Sequence, residues 1–473
     1  MNNNKQSRRE FLSTTALGAL GATGITGLLG KSNNAAAHDK PEDIKKLREY
    51  SHLSFLQEAP DGEKIKAGLV GCGGRGSGAA VNFVDAGPNL EIVALGDLFE
   101  DQLERCRTGL KKARDIEVAD ENCFTGWDSY KKVIDSDVDL VLFATPPYFR
   151  PMQVEAAIAA GKHVFQEKPL AVDPVGARRM HKTAQKAKDN KLNMVTGTLR
   201  RYQKDYVETQ RRVANGAIGR VVGANIVRNG GAVWWVKRRP EWDTEMEYML
   251  RNWYNYSWLS GDHYVEQFIH ELDVLNGYVN DDPSHIDTYP VSAIGYGGRE
   301  QRKSGNIFDQ FSVIYSYANG NDLHCSTRQI NDTQYGKKQH ITGTKGYADA
   351  AGTLYDHDGK VIWEYPYPDA NDEKDPWAVK NAYVQEHIEL VTALRKGAYI
   401  NDAERNINST RLALMGRMAA YSGKEITWEE VVNSDLRLGP DIEPEQLDFG
   451  PVDGIRKTPV IGDAPAPDSS RYT

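Results

Sequence analysis

The sequence predicts an α/β protein: a doubly wound parallel sheet in the N-terminal half, followed by a domain with a large, mostly antiparallel open sheet. Three observations carry this. Short apolar runs alternate with amphipathic helical stretches between residues 65 and 196, the pattern of right-handed β-α-β crossovers. The first of those runs ends in a cluster of glycines that opens a helix,. Beyond Arg200 the alternation gives way to strand-like segments joined by tight turns such as Ala318-Asn319-Gly320-Asn321,. A chain of 473 residues exceeds what one hydrophobic core serves, so two domains with appendages are expected. With 40% apolar and 26% charged residues and a negative mean hydropathy, the body is that of a soluble protein without membrane spans.

The first element is a targeting segment. Ser7-Arg8-Arg9-Glu10-Phe11-Leu12 precedes an apolar stretch from Thr14 to Leu29, then Ala35-Ala36-Ala37. This is the pattern of a twin-arginine export signal with a small-residue cleavage site. Residues 1–37 are therefore assigned to the signal, and the export machinery and a periplasmic or otherwise exported location follow as expectations. A membrane-spanning or dimerising helix is the alternative for its recurring glycines, but the stretch is short and glycine-rich for a span. Removal of the signal takes the net charge from −8 to −11, which disfavours nucleic-acid and anionic-membrane partners.

Residues 38–63 read as an N-terminal extension and 64–198 as the parallel-sheet domain. Its strands are expected at Ile65–Val70, Leu90–Leu95, Val138–Phe143, His163–Gln166 and Leu192–Thr196, with helices at Asp101–Lys112, Trp127–Ile134 and Met152–Ala160,. Residues 199–432 read as the second domain, with strands at Val221–Val227, Ser292–Tyr296, Phe311–Tyr317 and Asp322–Arg328 and closing helices at Val379–Leu394 and Ala403–Tyr421. Residues 433–473 form a Pro- and Gly-rich tail that either wraps the surface or is disordered. Cys72, Cys106, Cys123 and Cys325 have no C-x-x-C spacing and no neighbouring His pair, so all four are read as structural and no metal site is expected.

Gly71-Cys72-Gly73-Gly74-Arg75-Gly76 is a G-x-G-x-x-G loop placed between strand and helix. Such glycines allow a tight turn, close approach of backbone N–H groups to a pyrophosphate, and close helix–strand packing. The second strand ends in Gly96-Asp97, where a carboxylate can accept the adenosine ribose hydroxyls. A structural turn plus a capping aspartate explains either feature but not the pair. Leu98 and Phe99 follow instead of a basic pair for a 2'-phosphate, so NAD is favoured over NADP.

The run Ala144-Thr145-Pro146-Pro147 through Gly161-Lys162-His163-Val164-Phe165-Gln166-Glu167-Lys168-Pro169 closely resembles the Gfo/Idh/MocA family of oxidoreductases. Glu-Lys-Pro is its most diagnostic part. With the glycine loop, the resemblance covers the first domain tightly and the second only through motifs such as Arg201-Tyr202 and Ile218-Gly219. It implies a Rossmann domain for NAD, with Thr145, Pro146, Glu167 and Lys168 bordering the cofactor and Arg201 and Tyr202 on the substrate side. It also implies an open C-terminal sheet that is often buried in a dimer or tetramer. Pro147 and Arg150 stand where the family often has Asn and His. Lys168 takes the place of the family's catalytic lysine, whose ammonium steadies the alkoxide formed during oxidation; a strand-capping surface lysine is the alternative.

A second constellation is Gly261 to Asp273. Glu266, His270 and Asp273 are spaced i, i+4 and i+7 and would share one helix face, with Asp262 a turn earlier and Val265, Ile269, Leu272 and Leu275 forming an apolar stripe,. His270 suits a general base and Glu266 its neighbour in catalysis. The resemblance implies an Asp-x-x-x-His pair here, with Glu266 in the Asp place and Phe268 for a frequent Gly. Two alternatives stand: a histidine bonded to its own acidic neighbours, or metal binding by His263, Glu266 and His270. Five of the nine tryptophans, Trp234, Trp235, Trp242, Trp253 and Trp258, lie just before this segment with Tyr248, Tyr254 and Tyr256. Such flat faces suit pyranose stacking, with Arg238, Arg239, Arg251 and Asn252 for hydroxyls and Trp253 and Asp273 as substrate contacts; core or interface packing explains them equally. The functional expectation is oxidation of a sugar, polyol or glycoside hydroxyl with bound, recycled NAD. Redox-neutral glycoside cleavage through a keto-sugar and a non-catalytic sugar-binding protein are the alternatives.

Overall fold

The computed structural model describes residues 53–450 apart from 243, 280–288, 303–304 and 368–379. The signal segment and the end of the tail therefore lie outside the described residues. Six strands form the first sheet: β1 Ile65–Val70, β2 Leu90–Asp97, β3 Cys123–Thr125, β4 Leu140–Phe143, β5 His163–Gln166 and β6 Met194–Thr196. All pair in parallel, in the order β3-β2-β1-β4-β5-β6. That is the doubly wound arrangement whose strand order reverses beside β1, opening a crevice at the carboxyl ends of the strands. β1 and β4 are almost wholly buried because helices cover both faces, which explains their unbroken apolar runs,.

The crossover helices are α1 Gly74–Val84, α2 Glu100–Arg114, α3 Ser129–Asp135, α4 Arg150–Ala159 and α5 Pro174–Asp189. The short strand β3 and helix α5 were not foreseen. α5 is capped by Asp173, which accepts the Gly176 N–H, with Pro174 at its first turn,.

Helix α6 (Lys204–Ala214) leads to a nine-stranded sheet: β7 Val221–Gly230, β8 Ser292–Gly298, β9 Gln310–Ser316, β10 Asp322–Gln329, β11 Gly336–Gly343, β12 Gly346–Ala348, β13 Thr353–Asp356, β14 Val361–Glu364 and β15 Ile426–Thr427. The pairing is antiparallel except between β7 and β10. β11 to β14 escaped the sequence reading, because Gly336–Gly343 opens on Gly-Lys-Lys and has no apolar alternation.

Between β7 and β8 lie α7 (His263–Glu266) and α8 (Ile269–Val279); after β14 come α9 (Ala382–Arg395) and α10 (Ala403–Ser422). α10 is buried on nearly every side, because it packs against α5 of the first layer and against α8, β8 and β9 of the second,. α9 returns to the first layer and packs on α1. Residues 434–450 run over the parallel-sheet layer: Asp173 accepts the Leu438 N–H at 2.9 Å, Arg178 pairs with Asp435 at 2.8 Å, and Leu447 is buried.

Candidate active site

The glycine loop divides its labour position by position. Gly71 has φ +96°, and a Cβ there would lie 2.7 Å from the Ala144 carbonyl carbon; at Gly76 it would lie 1.8 Å from the Gly71 oxygen. These two glycines serve packing. At Gly73 and Gly74 a Cβ would meet nothing within 4 Å, because both face a cleft of about 520 Å³. Room beside bare backbone at a helix N-terminus is what a pyrophosphate needs. α1 starts here, with Gly73 as its N-cap.

Asp97, at the end of β2, lines the same cleft. Its carboxylate accepts the Cys72 N–H at 2.7 Å and the Phe99 N–H at 2.9 Å. Burial pushes its pKa up, while those two N–H groups oppose the shift. Thr145 and Pro146 line the cleft too, and the Thr145 hydroxyl donates to Gln153 at 2.6 Å. These residues fit a dinucleotide: the open glycines would take the pyrophosphate and Asp97 the ribose. Arg75 borders the cleft, but its Nε lies 2.8 Å from Glu167 and its guanidinium 4.5 Å from the Tyr383 ring centre. It ties the loop to the Glu-Lys-Pro segment.

Lys168 follows β5 and is buried. Its Nζ donates to the Glu266 carboxylate at 2.8 Å and to the Glu266 backbone oxygen. The structure thus brings together two of the three catalytic candidates by a salt bridge across nearly a hundred residues of sequence. His270 lies on the wall of a second cavity of about 350 Å³, with Arg200, Tyr206, Arg228, Gln267, Lys337 and Tyr383 among its neighbours. The pKa of His270 falls well below the ordinary imidazole range, first through burial and then through Lys168, Arg200, Arg228 and Lys337. It is therefore held in its neutral form near neutral pH, with one ring nitrogen free of a proton.

Several expectations need correction. Glu266, His270 and Asp273 do not share one continuous helix. The backbone leaves the helix at Gln267 and Phe268, whose N–H groups both bond to His263 O, and Phe268 is driven into the core. Asp262 caps α7 at φ +86°, is fully buried, and accepts from Phe308 N–H, His263 N–H and the Tyr421 hydroxyl. It is structural. Asp273 accepts Arg201 Nε at 2.7 Å and the Ser409 hydroxyl at 2.6 Å; both partners of this ion pair are buried. They border a void of about 10 Å³. Tyr202 is also buried and donates to Asp402 at 3.2 Å. Arg201, Tyr202 and Asp273 thus brace the framework, and neighbouring Arg200 reaches the His270 cavity instead.

The aromatic window is redistributed as well. Trp242, Tyr248, Tyr254, Tyr256 and Trp258 are buried in packing. Trp234 and Trp253 line the glycine-loop cleft, together with Phe99, Trp127 and Phe149, and not the His270 cavity. Arg251 is held by Asp101 at 3.0 Å and Glu247 at 2.8 Å and sits 3.9 Å over Phe99, while Asn252 bonds Val236 N–H at 2.8 Å. Arg238 pairs with Glu245, and Arg239 reaches Glu241 at 3.8 Å. Arg150 is buried, donates to the Pro169 carbonyl at 2.5 Å, and has its pKa lowered to about 10 by burial.

Missing from the sequence reading were Arg200, Arg228 and Lys337. Arg228 and Lys337 face each other across β7 and β11, a pairing invisible without β11.

Comparison with known proteins agrees with the fold. Residues 65–194 match the family model described as GFO_IDH_MocA, an oxidoreductase family with an NAD-binding Rossmann fold. Inositol 2-dehydrogenase of Salmonella typhimurium is 26% identical over 319 residues, covering 65% of this chain and 83% of that protein. Inositol 2-dehydrogenase 4 of Saccharopolyspora erythraea is 33% identical over 157 residues, 33% of this chain and 43% of that protein. The same fold is found in scyllo-inositol dehydrogenase from Lactobacillus casei, solved with NAD(H) and scyllo-inositol. It has a TM-score of 0.56 and 19% identity, covering 77% of this chain and 99% of that one.

Proposed function

We propose that this chain, whose residues 65–194 match the NAD-binding Rossmann domain of the Gfo/Idh/MocA oxidoreductases, uses NAD to oxidise a CH–OH group of a sugar, polyol or glycoside. The inositol 2-dehydrogenases similar to it are named for acting on a polyol. The observation that carries the reading is the Lys168 ammonium, held 2.8 Å from Glu266 at the end of β5, with the neutral imidazole of His270 near enough to feel its charge.

NAD, when bound on the glycine loop, supplies the hydride acceptor. His270 takes the hydroxyl proton, for which its depressed basicity keeps it unprotonated. Lys168 stabilises the negative charge that develops on the substrate oxygen. Glu266 fixes the ammonium at that point by two acceptor groups, its carboxylate and its backbone oxygen. Lys168→Ala and His270→Ala should each lower kcat by about 10²- to 10⁴-fold, with the NAD-induced rise in melting temperature retained. Full turnover in either variant sinks the assignment.

A second reading concerns the cofactor's fate. Trp234, Val236, Leu250, Arg251 and Trp253, all from the segment after β7, line the same cleft as the glycine loop. A wall of this kind favours a retained cofactor recycled in place, which suits an exported enzyme and redox-neutral chemistry. Stoichiometric nucleotide released on denaturing the exported protein supports it; an empty protein that binds added NAD reversibly contradicts it.

A further inference from the structure

The His270 cavity is more cationic than a neutral polyol requires. Arg200, Arg228 and Lys337 all line it, against one carboxylate on the wall, that of Asp205. Asp205 accepts its neighbour's Tyr206 N–H at 2.8 Å. Behind the wall lies Glu271, fully buried, whose two oxygens are divided between Arg200 at 2.5 Å and Arg228 at 3.1 Å. One carboxylate thus serves two guanidiniums, and it also accepts Gln339 Nε2 at 2.6 Å. Lys337 donates to the neutral Tyr206 hydroxyl at 2.7 Å. Counting Glu271 and Asp205 against the three cations leaves one positive charge in excess among the wall and its direct ion-pair partners, beside a Lys168–Glu266 pair that is balanced; the next carboxylate out, Asp349, sits near Asp205 and is engaged by the Ala351 and Thr353 N–H groups.

The arrangement opposes stability where it is made. Lys337 on β11 stands directly across from Arg228 on β7, and like charges directly opposite on neighbouring strands are destabilising. Such a pair is explained by a ligand that pays back the repulsion when it binds. The cations also crowd the base: three of the four charges that depress His270 are Arg200, Arg228 and Lys337.

Resting on the dehydrogenase reading above, we propose that the substrate is an anionic sugar or polyol whose oxyanion, a carboxylate, sulfate or phosphate, is seated between Arg228, Lys337 and Arg200 while a ring hydroxyl faces His270. A space of about 350 Å³ lies in the range of small-ligand pockets. The guanidiniums offer planar paired donors and the lysine a point charge, which together hold an oxyanion by charge-assisted hydrogen bonds.

The test is calorimetric binding to the NAD-loaded full-length protein, using glucuronate, glucose 6-sulfate and glucose 6-phosphate against glucose and myo-inositol. The anionic sugars should bind at least about tenfold more tightly than the neutral ones and lose affinity as salt is raised. Lys337 is exposed, so Lys337→Gln tests the site without burdening the core; it should lower the anionic-over-neutral ratio about tenfold, and Lys337→Arg should restore it. The best of the three anions identifies the oxyanion. Equal binding of neutral and anionic sugars, or a ratio that Lys337→Gln leaves unchanged, overturns the proposal. Tight, Lys337-dependent binding of an anionic sugar whose carbinol deuterium never reaches the nicotinamide in a quenched single turnover upholds the anion site and overturns the dehydrogenase reading; deuterium transfer from neutral sugars alone does the reverse.

Discussion

Alanine at two glycines of one loop should separate folding from cofactor binding. At Gly76 the new Cβ would lie 1.8 Å from the Gly71 oxygen and 3.0 Å from its carbonyl carbon. Backbone cannot swing aside as a side-chain end can, so Gly76→Ala should cost about 3 kcal/mol, the upper part of the overpacking range, and lower the melting temperature by several degrees. At Gly73 the Cβ meets nothing, and φ −68° with ψ −178° suits alanine. Loss of unfolded-state entropy favours that variant by about 0.4–1 kcal/mol, and the poorer N-cap offsets it by a similar amount. Gly73→Ala should therefore melt within about 1 kcal/mol of the parent. Its methyl group, however, stands where the pyrophosphate meets the loop. Losing one charge-assisted contact weakens NAD binding by about 10- to 100-fold. Melting curves with and without NAD, plus a calorimetric titration, read both effects. A Gly73→Ala protein that binds NAD like the parent, or a Gly76→Ala protein that melts like it, refutes the division of roles.

Other perturbations test separate parts of the structure. Asp273→Ala removes the bidentate acceptor of the buried Arg201 guanidinium and should destabilise the fold by about 3–5 kcal/mol, seen as a lower urea midpoint; an unchanged midpoint with a raised KM would return this pair to substrate binding. His387 packs 4.2 Å from the Phe165 ring centre and has its pKa lowered to about 3, first by burial and then by Arg75. The unfolded chain takes up a proton below about pH 6.5 that the folded one refuses until about pH 3, so this stability is present above 6.5 and lost on acidification at about 1.4 kcal/mol per pH unit. His387→Phe should flatten the fall of the urea midpoint across that window. The same sign holds for His270: the acid limb of kcat/KM should lie below the ordinary imidazole range, and a limb at or above about 6.5 would mean that another group takes the proton. Trp253→Ala should speed NAD dissociation by opening the wall of the cleft, measured by stopped-flow displacement.

The parts of this fold legible in sequence are those dictated by local rules. Buried parallel strands such as Leu140–Phe143 are continuous apolar runs, and the glycine loop needs glycine for contacts between neighbouring segments. Lys168 drew attention because it sits in a short diagnostic motif and His270 because it stands among regularly spaced titratable groups; the structure places the first beside Glu266 and the second on a cavity wall. The errors came from tertiary contacts. Helical periodicity carried straight through Gln267 and Phe268, where the backbone leaves the helix and the Phe268 ring is buried. Arg201 and Asp273 looked available, yet pair with each other across 72 residues. Tryptophans clustered in sequence fan out over a core and a cleft wall. Arg228 and Lys337 meet only through the pairing of β7 with β11, and the glycine and paired lysines that open β11 conceal that strand.

The proposed reaction is hydride transfer from a substrate carbon to NAD, with Lys168 and His270 acting on the hydroxyl. A single turnover with NAD-loaded protein and a polyol or sugar deuterated at its carbinol carbons, quenched before recycling, tests it most directly. Deuterium should appear on the nicotinamide ring in the parent protein and not in His270→Ala or Lys168→Ala on the same timescale. Deuterium released to solvent, or a label unmoved while substrate is converted, would contradict it.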